Sequence, residues 1–104
     1  MDHAADDISW YVVEKTYWVI DKGLILVGAK ETAHDFRCEI HDAVEIVRPN
    51  GTRTRARVQE VYESISHAGG DLLVEGLRAS DVPPGSRLRV LRPQRKRRQE
   101  AQDE

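Results

Sequence analysis

Short runs of alternating apolar and polar residues, each closed by a turn signal, occupy the chain from Ile8 to Arg92. In Ser86–Arg92, Leu88 and Val90 alternate with Arg87 and Arg89 after the corner Pro83-Pro84-Gly85. A period of two sends the two kinds of side chain to opposite faces of a strand. Ala43–Arg48 alternates in the same way, with Val44 and Ile46 on one face and Glu45 and Val47 on the other. After Pro49-Asn50-Gly51, the segment Thr52–Val58 sets Arg53, Arg55 and Arg57 against Thr54, Ala56 and Val58. Asn-Gly at that corner predicts a type I′ turn. The change of parity between Val58 and Val61 predicts a bulge near Gln59-Glu60.

The remaining segments follow the same rule. Ile8–Ile20 is dense in β-branched and aromatic residues, and Glu14-Lys15 marks a bend within it. Asp21-Lys22-Gly23 reads as a tight turn into the apolar strand Leu24–Lys30, where Gly28 signals a bulge, a bend or a close backbone approach. Residues 31–41 lack a period and read as a loop with one helical turn. Glu63–His67 extends the preceding strand, Leu72–Glu75 is a short buried strand, and Arg78–Val82 is a single helical turn. Six or seven strands separated by turns predict an all-β, antiparallel β-barrel of six or seven strands.

At 104 residues the chain has the size of one domain. Residues 1–7 read as a disordered lead-in and 93–104 as a charged flexible tail, which leaves 8–92 as the barrel, roughly 80–85 residues to supply a core. No apolar run approaches the ~20 residues of a membrane span. The acidic start has no apolar signal-peptide core, and the single cysteine, Cys38, has no partner for an internal disulfide. These features point to the cytoplasm and away from a membrane partner. The net charge of −2 conceals a polarity. Residues 1–47 hold 4 Lys/Arg against 10 Asp/Glu, whereas residues 48–98 hold 12 against 5. A basic second half suits a polyanion or an acidic partner.

Arg53, Arg55 and Arg57 lie on one strand face at ~6.8 Å intervals, close to the phosphate repeat of an extended nucleic-acid strand. Arg87 and Arg89 form a similar pair. The plainer reading of all five is solubilising charge on an exposed sheet. The tail cluster Arg95-Lys96-Arg97-Arg98 divides between the same two readings. His34, Cys38 and His41 are metal-ligand types that a helix would gather on one face, with His67 or Asp42 as a fourth. No Cys-x-x-Cys or His-Glu-x-x-His pattern supports them, so no metal or other cofactor is expected. Ser64, Ser66 and His67 sit close in sequence without a nucleophile elbow, so neither an enzyme nor a small-molecule substrate is expected. Trp10, Tyr11, Tyr17 and Trp18 suit core or rim packing; an exposed one beside the arginines would suit base stacking or a protein contact.

Three stretches in order resemble domain 2 of the translational GTPases, the β-barrel of elongation factor Tu and initiation factor 2. Glu14–Gly28 is similar to the family's opening hairpin. Asp42-Ala43-Val44-Glu45-Ile46, followed by Arg57–Val61, is similar to its central strands. Ala68-Gly69-Gly70-Asp71, Gly76-Leu77 and Asp81–Gly85 are similar to its closing portion. The GTPase itself is missing, for no Gly-x-x-x-x-Gly-Lys-Ser/Thr loop occurs. His41 replaces the family's glycine before Asp42, and Glu75 stands where an arginine often precedes the Gly. A negative charge there opposes the grip on a tRNA end, so that role does not transfer. The resemblance implies a non-catalytic module that contacts rRNA or tRNA backbone through the arginines. It equally allows a protein–protein adaptor that binds a translation-related protein with no nucleic acid.

Overall fold

A computed structural model describes residues 8–91, and within them six antiparallel strands close into a barrel. The strands are β1 (Tyr11–Val19), β2 (Gly23–Gly28), β3 (Ala43–Val47), β4 (Arg53–Tyr62), β5 (Asp71–Val74) and β6 (Arg87–Val90). Their order around the ring is β1-β2-β5-β4-β3-β6, so β6 closes the cylinder between β3 and β1. The all-β barrel read from the sequence is therefore present, with six strands. The lead-in 1–7 and the tail 93–104, including Arg95–Arg98, fall outside the described residues. No helix among the described residues is long and apolar enough to cross a membrane.

Alternation explains the core. Tyr11 and Val13 of β1, Leu24 and Leu26 of β2, Val44 and Ile46 of β3, Val58 of β4, Leu72 and Val74 of β5, and Leu88 of β6 all point inward and are buried. Phe36, Leu77 and Val82 from the connections complete the cluster. The bend at Glu14-Lys15 is a register shift in the β1–β2 ladder between Val13 and Lys15. The expected bulge in β4 falls between Val58 and Glu60. A 3-10 turn at Ala79–Asp81 matches the predicted helical turn.

Three local expectations are corrected. Residues 63–67 do not extend β4; 63 and 64 are irregular and 65–67 form a bend that leads into the turn at 68 and 69. Residues 31–41 contain turns but no helical turn. The Pro49-Asn50-Gly51 corner is not type I′, since Asn50 does not take a positive φ while Gly51 does, at 90°. Gly51 N donates to Arg48 O at 2.8 Å, and Arg48 N donates to Thr52 O at 2.8 Å. This is a three-residue loop in which a turn is followed by a left-handed glycine. A two-residue Asn50-Gly51 loop would need Pro49 N–H to bond Thr52 O, and proline has no N–H, so Arg48 makes that bond instead.

Tyr11 ties one end of the barrel to the loop that covers it. Its hydroxyl lies 2.9 Å from Leu26 O and 2.7 Å from Gly70 O, sharing its proton between two carbonyls. Its ring packs against Phe36 and meets His67 edge-on. The buried His67 ring is gripped at both nitrogens, with Nδ1 2.9 Å from Ala68 O and Nε2 3.0 Å from Asp71 Oδ1. Gly28 is a site of close approach rather than a bulge: a Cβ there would lie 2.7 Å from the His67 ring.

Burial, and then the Asp71 carboxylate, push the Tyr11 hydroxyl far above the ordinary tyrosine value. The folded protein keeps this proton after the unfolded chain has released it. The stability it confers is complete below pH ~10 and falls as the pH rises beyond that point. Tyr11→Phe is expected to cost about 1–2 kcal/mol at neutral pH through two unmet carbonyls. The variant should also show a shallower loss of stability above pH ~10. Urea unfolding at pH 7 and pH 11, the latter within the alkaline range where unfolded tyrosine ionises at about 10, measures both effects.

Candidate nucleic-acid interface

Strand β3 lies between β4 and β6, and register fixes what shares its outer face. Glu45 stands opposite Arg55 on one side and Arg89 on the other. Val47 stands opposite Arg53 and Arg87, and Ala43 opposite Arg57. Register partners share a face, so all five sequence-predicted arginines meet on one side of three adjacent strands. The small side chains of Ala43 and Val47 leave a low floor between two arginine rows.

Each guanidinium has a different anchor. Arg89 Nε donates to Glu45 Oε1 at 3.0 Å, and its Nη2 forms an ion pair with the same oxygen at 2.9 Å. Arg53 Nη1 donates to the same oxygen at 3.4 Å. Arg57 Nη1 donates to His41 O at 2.8 Å, which ties β4 to the loop before β3. Arg87 lies over the Trp10 ring, 4.5 Å from its centroid. Arg55 makes no hydrogen bond or ion pair among the described residues. Glu45 meets Arg53 and Arg89 and stands opposite Arg55, so positive charge predominates among the outward side chains of these three strands.

Glu45 is the residue that sequence reasoning placed on this face without assigning it a role. Its side chain is 9% exposed, against 34% for Arg89 and 60% for Arg53. A carboxylate this deeply covered is stabilised by the cations above it and holds them side by side against their mutual repulsion. The signal was available: a three-residue loop after Arg48 makes paired residue numbers sum to that of Arg48 plus Thr52, which sets Glu45 against Arg55. Trp10 was also overlooked as a partner for Arg87. Of the aromatics, Tyr11 is core, Trp10 flanks the arginines, and Tyr17 and Trp18 are exposed on the far half of β1.

Other candidates are not assembled. His34 and His41 are exposed in turns and Cys38 is half-buried in the irregular stretch between them, none of them on a helix, and the described residues contain no group of three potential metal ligands. Ser64 and Ser66 hydroxyls lie 3.0 Å apart, while both His67 nitrogens are committed to Ala68 and Asp71. Ser64 and His67 border an open hollow of about 530 Å³, but neither serine is paired with the imidazole.

No family model, curated protein or solved structure matches this chain.

Glu45→Gln removes the counter-charge while keeping the shape. The substitution is expected to cost about 1 kcal/mol of stability, because the pair is only partly shielded from water. It should at the same time delay elution from a heparin column, since the face gains one net positive charge. Opposite signs in urea unfolding and column retention are the expected outcome.

Proposed function

We propose that this protein is a non-catalytic binding module that lays its β3–β4–β6 face on the phosphate backbone of structured RNA. The observation that carries the reading is the convergence of Arg53, Arg55, Arg57, Arg87 and Arg89 on one sheet face with a single carboxylate among them. Guanidiniums form strong, directional bonds to phosphate oxygens, and a rigid sheet holds their backbone positions at fixed spacing, which lowers the ordering cost of binding to that of the side chains. The Trp10 ring is covered by Arg87, so it offers no free platform for stacking. Contacts to phosphates position a partner without reading its sequence, which suits rRNA or tRNA backbone. The resemblance of three ordered stretches to translation-factor domain 2 supports the same class of partner.

Phosphate contact has a thermodynamic signature. If about four arginines each neutralise a phosphate, log K falls against log salt with a slope of roughly 3–4. Replacing Arg53, Arg55 and Arg57 by alanine should remove most of that slope and abolish RNA retention, with the barrel intact because the three side chains point outward. Fluorescence anisotropy with a structured RNA from low to physiological salt measures both. Absence of binding at low salt would end this reading, and salt-insensitive capture of a protein would favour the adaptor role.

A further inference from the structure

His41 holds a backbone conformation that suits glycine. Asp42 N donates to Glu39 O at 3.0 Å and closes a turn whose third residue, His41, has a φ of 77°. Ile40, the second residue, does not take a positive φ, so the turn is type II, and its third position calls for glycine or asparagine. The strand pairing makes the same demand. His41 N donates to Val58 O at 2.7 Å, while Val58 N donates to Asp42 O at 2.9 Å. Two residues leading into β3 therefore face one residue of β4, a bulge whose first residue, when left-handed, is ordinarily glycine. Among the described residues Asp21 is the one other non-glycine residue with a positive φ, and its short carboxylate tolerates that region. Nothing among the described residues offsets the cost at His41: the residue is exposed, and its ring makes no hydrogen bond or ion pair with them. Strained residues of this kind gather where a structure grips a ligand.

The strained residue lies at the end of the β4 arginine row. Arg57 Nη1 donates to His41 O at 2.8 Å, so covalent reach alone keeps the imidazole nitrogens within about 9 Å of that donor in every rotamer. Ring and guanidinium can then hold one phosphate between them, or two in succession. We propose that His41 is a phosphate-binding residue that carries the arginine row past Arg57, its ring N–H donating to a backbone oxygen of structured RNA. An imidazole keeps at least one N–H donor in either charge state. The turn is closed by Asp42 N and tied to β4 by two backbone bonds, so the ring's point of attachment is fixed before a partner arrives. This inference rests on the RNA reading of the β3–β4–β6 face and adds to it a residue that strand alternation does not place there.

Urea unfolding and fluorescence anisotropy with an RNA hairpin at low salt, on the same variants of the full chain, test it. His41→Gly relieves the strain and removes the ring, so its urea midpoint should rise while RNA affinity falls about fivefold, the loss of one hydrogen bond. His41→Ala removes the ring and keeps the strain, so affinity should fall by the same factor with no rise in the midpoint. His41→Arg restores a donor and should bind within about twofold of the wild type. Wild-type affinity in both His41→Gly and His41→Ala, an unraised midpoint in His41→Gly, or no recovery in His41→Arg would each overturn the proposal. Replacing Arg53, Arg55 and Arg57 by alanine separates it from the reading it rests on. RNA binding lost there and kept in His41→Gly removes His41 alone and leaves the arginine face standing, whereas a wild type that binds no RNA ends both.

Discussion

Everything on this molecule's outer surface depends on β6, a strand of four residues that closes the ring between the first strand and the third. Leu88 is fully buried and pairs with Tyr11 on one side and Ile46 on the other. That one inward side chain fixes the alternation of its neighbours, so Arg87 and Arg89 must face outward. Without closure, the β4 arginines would have no second row facing them and Glu45 would have only one cationic neighbour strand.

The outer face then follows from electrostatics in a partly dry setting. Arginines on neighbouring strands repel one another, and a single covered carboxylate between them offsets that repulsion while cancelling only one charge. The remaining anchors are neutral: a carbonyl for Arg57 and an indole face for Arg87. Such anchors orient a guanidinium without neutralising it. The result is a fixed array of positive charge on a protein whose formal net charge is −2.

How far the sequence could be read is clearest at the β3–β4 hairpin. Alternation alone identified both strands, their inward residues and the outward arginines, because a half-buried strand admits only one parity. The corner was harder. Asn-Gly suggests a two-residue loop, and that loop would have paired Glu45 with Ala56 rather than Arg55. Pro49 is the residue that decides otherwise, since it has no N–H to bond Thr52 O across such a loop. A one-residue difference in loop length thus hides the contact that organises the face. The Tyr11–His67–Gly28 cluster was out of reach for another reason. It joins residues far apart in the chain by shape, and neither propensity nor periodicity encodes shape.

The strand order has a kinetic corollary. The β1–β2 and β3–β4 hairpins join residues close in sequence, whereas the seam between β1 and β6 joins Tyr11 to Leu88 through only two rungs. Closing so long an intervening loop carries the largest entropic cost in the molecule, and so few contacts return little until the core is already in place. The cylinder therefore seals late in folding, and it is along this narrow seam that it will first part when stressed.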